Sequence, residues 1–158
     1  MGRLGTMTTT TSTPAPGTTA TATRPGAWPT LSYRDAEAAL RFLTDVVGFT
    51  ESVVHRGGPD RPIAHAELLW PDGGGIMFGS EPKDTPWSGS AGGPGTGTTY
   101  LSVGSRGDLD TIAGRIAAAA WTMLREPNDT DYGSREFAFL DPEGNAWSVG
   151  TYGGAQAG

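Results

Sequence analysis

An internal repeat restricts the possible folds of this chain more than any other feature. Residues 30–33 read TLSY and residues 100–103 read YLSV, 70 positions on; residues 70–79 read WPDGGGIMFG and residues 141–150 read DPEGNAWSVG, 71 positions on. The second match sets Pro71 against Pro142, Asp72 against Glu143, Gly73 against Gly144 and Gly79 against Gly150. Two blocks in the same order at a nearly constant offset predict two copies of one supersecondary unit.

Each copy opens on a short alternating run. Leu31 and Tyr33 fall on one face and Thr30 and Ser32 on the other; Leu101 and Val103 stand likewise against Tyr100 and Ser102. Such alternation marks a half-buried strand. A helix follows. In the first copy Asp35 suits its N-cap, Ala39, Leu40, Phe42, Leu43, Val46 and Val47 form an apolar stripe, and Gly48 suits its stop. In the second copy Leu109, Ile112, Ile116, Ala119 and Ala120 form the stripe. Three strands per copy come next, over about 49–55, 63–70 and 75–79, then 121–125, 135–140 and 146–152. Pro-acid-Gly turns, Pro71-Asp72-Gly73 and Pro142-Glu143-Gly144, precede the last strand of each. The expected class is α+β, with two βαβββ modules over about 27–79 and 98–152 joined by a Gly-rich linker over 80–97.

The 158 residues suffice for one such domain, residues 27–152. Residues 1–26 are rich in Thr, Pro and Ala and poor in large apolar side chains, which predicts a disordered tail; residues 153–158 are expected to fray. Asp and Glu number 17 against 11 Lys and Arg, and the net charge of −6 argues against a general nucleic-acid partner. There are no cysteines, so disulfides, thiolate metal sites and cysteine nucleophiles are excluded. No apolar run reaches membrane-spanning length and no secretory pattern is visible, so a cytoplasmic location is the expectation.

The opening LSYRDAEAALRFLTDVVGF and the closing YGSREFAFLDPEGNAW, together with the doubled βαβββ order, resemble the vicinal oxygen chelate superfamily. That group includes glyoxalase I, extradiol dioxygenases, fosfomycin-resistance enzymes and bleomycin-binding proteins. The resemblance implies cup-shaped mixed sheets with a helix on each convex side. In the enzymes it also implies a divalent metal held by one side chain from the first and one from the last strand of each module. Carried onto this chain, those positions are Trp28, Met77, Thr98 and Ser148. An indole, a thioether and two neutral hydroxyls make a poor donor set for hard or borderline cations. The expectation is that the family's metal centre is missing, with no cofactor in its place.

His65 and Glu67, two apart on a strand, share a face and point into the cup if Ala66 and Leu68 face the helix like Phe137 and Phe139. They read as a polar pair, or as acid/base or metal-binding candidates if the chain is an enzyme. His55 borders a Gly-Gly loop and reads as exposed. Trp70, Trp121 and Trp147 read as packing. Trp28 and Trp87, with Met77 and Tyr100, read as aromatic lining for a planar or apolar ligand, against plain packing. Arg135 is expected to pair with Asp131 or Glu136, or to hold an acidic ligand group.

The leading expectation is a metal-free small-molecule-binding homodimer that sequesters an antibiotic or another aromatic, planar or cationic metabolite. Its ligand-binding set is Trp28, Ser32, His65, Glu67, Met77, Trp87, Thr98, Tyr100 and Ser148. The alternatives are a metal-dependent lyase, isomerase or dioxygenase using His65 and Glu67, and a regulatory or structural partner module.

Overall fold

The structure is a computed structural model that describes residues 26–81, 83 and 93–154. Residues 1–25 of the predicted tail over 1–26, Trp87 with most of the linker, and residues 155–158 lie outside the described residues.

The first module runs β1 (Thr30–Tyr33), α1 (Ala36–Arg41), β2 (Thr50–Arg56), β3 (Ile63–Leu69) and β4 (Gly75–Ser80). The second runs β5 (Thr98–Ser102), α2 (Arg106–Ala118), β6 (Met123–Asp129), β7 (Arg135–Leu140) and β8 (Ala146–Gly150). Each module forms a four-stranded mixed sheet, ordered β1-β4-β3-β2 and β5-β8-β7-β6. The first strand lies parallel to the last, and the other pairings are antiparallel. The repeat therefore reaches down to register: Leu31 faces Phe78 as Leu101 faces Val149, and Ala66 faces Phe78 as Phe137 faces Val149.

Asp35 caps α1, its carboxylate accepting from Ala38 N–H at 2.9 Å. After Arg41 the helix widens to π geometry over Phe42–Val47 and stops at Gly48, where φ is +111°. A side chain there would also meet the Arg115 guanidinium, which donates to the Val47 carbonyl at 3.0 Å. Ser105 caps α2. The stripe of α2 buries Leu109, Ile112, Ala113 and Ile116; Ala119 and Ala120 fall past its end and stay exposed, because the helix stops two residues before the alanine run does. β6 runs on to Asp129 through Pro127, beyond the expected stop at 125. It is an edge strand, where a missing N–H costs no ladder bond.

One apolar core serves both modules. Ala66, Leu68, Phe137 and Phe139 are all fully buried on the helix side of their sheets, as expected. Phe42 of the first module packs edge-on against Trp121 at 4.9 Å and Phe139 at 6.2 Å, and Phe49 packs against Trp147 at 6.0 Å. Such contacts contribute about 0.5–1.5 kcal/mol each beyond area burial. The helices and apolar sheet faces of the two modules thus meet in the middle, and the opposite faces of both sheets look outward. Among the described residues no helix is long and apolar enough to cross a membrane.

Candidate functional site

The outward face of the first sheet carries the side chains that alternate with its core. Met77 lies between Thr30 on β1 and Glu67 on β3 in the pairing, and its N–H donates to the Pro29 carbonyl at 2.9 Å. Half-buried Trp28 lies against the backbone of Gly75, where an added Cβ would come within 2.4 Å of the indole. His65 Nε2 and Glu67 Oε1 are 3.0 Å apart, with the two side chains 40% and 31% exposed. His55 stands directly across the ladder from His65, the rings stacked at 6.3 Å and 25°. Ser32 shares this face, half-buried between Leu31 and Tyr33.

On the second sheet Thr98 pairs with Ala146 and Tyr100 with Ser148. Ser148 is paired with Ala138 on β7; two residues further along Glu136 is paired with Gly150 and only 7% exposed. Its carboxylate accepts from Arg125 Nη2 at 2.9 Å and from the Tyr132 hydroxyl at 2.8 Å. The Tyr100 hydroxyl donates to the Tyr152 carbonyl at 3.0 Å. Gly150 is what admits this arrangement: a Cβ there would come within 2.3 Å of the Tyr100 hydroxyl and 2.9 Å of Glu136 Cγ. Partial burial, and then the Glu136 charge, hold the Tyr100 phenol above its ordinary range.

Glu136 was not among the residues read from the sequence as site candidates. The signal was present, since Phe137 and Phe139 facing the core put Glu136 outward, and the offset of 71 makes it the counterpart of His65. Arg135 departs from expectation in its partners. It bonds Asp110 at 2.9 Å and Asp129 at 3.4 Å, because it leaves β7 on the side where α2 and β6 present those carboxylates.

Trp28, Ser32, His65, Glu67 and Met77 therefore gather on one sheet, and Thr98, Tyr100 and Ser148 on the other. Within one chain the two sets do not share a pocket, since the common core separates them. The expected grouping of Trp28 and Met77 with Tyr100 does not form within the chain. Cavities of about 490 and 380 Å³ lie elsewhere, beside the Trp70–Gly75 turn. Tyr100 borders the first with Trp70, Phe49 and Tyr152, while Trp28 and Met77 do not line it.

The residues at the positions implied for a divalent metal do not fit one. Trp28, Met77, Thr98 and Ser148 offer no carboxylate and no imidazole. Among the described residues no three His, Asp or Glu side chains converge as a ready-made metal centre.

The doubled βαβββ architecture agrees with comparisons to known proteins. The family model described as Glyoxalase/Bleomycin resistance protein/Dioxygenase superfamily matches residues 27–149. Among solved structures, TioX from Micromonospora sp. ML1 is 26% identical, with 79% of this chain and 98% of that one covered and a TM-score of 0.62. The oxidase ChaP-H2 is 24% identical, with 80% and 93% covered and a TM-score of 0.58. A lactoylglutathione lyase from Agrobacterium tumefaciens is 20% identical, with 80% and 93% covered and a TM-score of 0.56. No curated protein matches the chain. The doubled βαβββ architecture and the family match over both modules lead to one conclusion: this chain belongs to the glyoxalase/bleomycin resistance protein/dioxygenase superfamily.

Proposed function

We propose that the chain is a metal-free binding protein for a planar or cationic organic molecule, of the kind that sequesters an antibiotic or aromatic metabolite. The observation that carries this reading is the chemistry at the four family ligand positions, where aromatic, thioether and hydroxyl groups replace metal donors. Those groups suit contact with a flat apolar body.

The complete pocket is assigned to a homodimer. One chain turns its two cups outward, so the first-module face of one copy meets the second-module face of another. The exposed Leu69, Tyr100, Tyr132 and Tyr152 on or beside these outward faces support that pairing, being large apolar side chains left uncovered in a single copy. In the dimer Trp28, Ser32, Met77, His65 and Glu67 contribute one wall, and Tyr100, Thr98, Ser148 and the buried Glu136 the other. The acidic body, at −6, favours a cationic partner.

The test is tryptophan fluorescence against a panel of planar cationic drugs, in EDTA. Saturable quenching that Trp28→Ala weakens tenfold or more is the expected result. A flat response across the panel, or binding that EDTA abolishes, overturns the proposal. A second reading, a metal-dependent lyase, isomerase or dioxygenase, draws on the His65–Glu67 contact; turnover lost in His65→Ala and restored only with metal would favour it.

A further inference from the structure

The chain has only two histidines, and they are cross-strand partners. His55 on β2 and His65 on β3 face one another on the outward side of the sheet, while their neighbours Val54 and Ala66 pack toward the core. His55 is exposed and His65 half-buried on the edge hairpin, away from β1. His65 Nε2 lies 3.0 Å from Glu67 Oε1. A carboxylate accepting from Nε2–H fixes the tautomer that leaves the Nδ1 lone pair free, which is how histidines that bind metals are commonly oriented.

We infer that His55 and His65, with Glu67 behind His65, form a surface site for a late first-row divalent cation such as Zn²⁺. This site is separate from the Trp28, Met77, Thr98 and Ser148 positions. Zinc–nitrogen bonds of about 2.0–2.1 Å bring two ligating rings to a centroid separation of roughly 5–6 Å. From the observed 6.3 Å and 25° the two rings turn about their side-chain bonds to aim their in-plane lone pairs at one ion. Water completes the coordination. Neutral imidazoles suit zinc, nickel and copper, and the geometry offers nothing to magnesium or calcium, which require several oxygen donors. The inference does not depend on the small-molecule reading, because His55, His65 and Glu67 all come from the β2–β3 hairpin of one chain, even though His65 and Glu67 also border the proposed pocket.

The experiment is a Zn²⁺ titration of the untagged full chain, followed by calorimetry and by NMR of the imidazole Cε1–H signals, of which the two histidines give one each. Both imidazoles are expected to shift together to saturation. His55→Ala and His65→Ala each weaken binding tenfold or more, and Glu67→Gln weakens it about ten- to a hundredfold. His55→Gln, which keeps a polar side chain on the strand, must behave as His55→Ala does. Binding that leaves either imidazole unshifted, survives intact in both His55 variants, or is absent at millimolar Zn²⁺ overturns the inference. Drug quenching in EDTA is unaffected by its failure, so the two proposals fall separately.

Discussion

The turns Trp70–Gly75 and Asp141–Ala146 occupy equivalent places in the two modules, yet they fasten the molecule by different means. Asp141 is 4% exposed and its carboxylate accepts five hydrogen bonds. The donors are the Tyr33 hydroxyl at 2.7 Å, the Asn145 amide at 2.9 Å, Trp147 Nε1 at 3.2 Å, and the backbone N–H groups of Glu143 and Asn145 at 3.0 Å. Two residues on, Glu143 accepts from the backbone N–H groups of Arg34 and Asp35, so this turn clamps the start of α1 across the module boundary. In the first turn Trp70 stands where Asp141 stands in the second. It reaches across in the same sense, donating to the Ser102 carbonyl at 2.6 Å. Its neighbour Asp72 is exposed, and both cavities lie alongside. One boundary is closed by a saturated carboxylate and the other by a single indole over open space. A repeated fold can thus keep its topology while exchanging the chemistry of its joints.

The largest expected effect breaks this asymmetry. Asp141→Ala leaves several buried donors without an acceptor at about 1–3 kcal/mol each, so a loss of roughly 3–5 kcal/mol is expected in urea unfolding. Trp70→Phe keeps the apolar surface and should cost about 1 kcal/mol. Equal losses would show that the two joints are equivalent after all.

Tyr33→Phe comes next, at about 1.5–3 kcal/mol for a bond to a charged acceptor. Its pH dependence has a definite sign. Burial, and then the Asp141 charge, push the Tyr33 phenol far above its ordinary value of 10.0. The unfolded chain therefore releases this proton first, and the stabilisation is full below pH 10 and falls as pH rises beyond it. Ultraviolet titration should find one of the four tyrosines ionising only with unfolding, and Tyr33→Phe should remove that one. A normal titration of all four would contradict the buried bond.

Smaller effects sharpen the comparison. Glu143→Gln should cost about 1 kcal/mol through the weakened cap on α1, and Asp72→Asn at the equivalent place should stay within about 0.5 kcal/mol. The helix ends differ too. The first stops at Gly48 in left-handed geometry, and after the second Ala120 adopts a φ of +56°. Ala120→Gly should therefore raise stability by about 1 kcal/mol.

The fold was legible because the repeat and the period-two alternation both survive in residue types. Leu31, Ala66, Phe78 and their counterparts declare the buried face wherever they occur. Alternation reveals which face is buried but not what it is buried against. For that reason the outward turn of both cups, with Phe42 set against Trp121 and Phe139, was not readable. The His65–Glu67 contact was readable as a shared face; the stacking of His55 on His65 depends on β2–β3 register, which no single strand carries. Asp141 read only as a turn residue, because its partner Tyr33 is 108 positions away.

The most direct test of the proposed loss of the family metal centre is anomalous diffraction from crystals grown with Co²⁺. No peak is expected among Trp28, Met77, Thr98 and Ser148, with any bound cobalt confined to His55 and His65. A cobalt peak within bonding distance of Met77, or between the hydroxyls of Thr98 and Ser148, would contradict it.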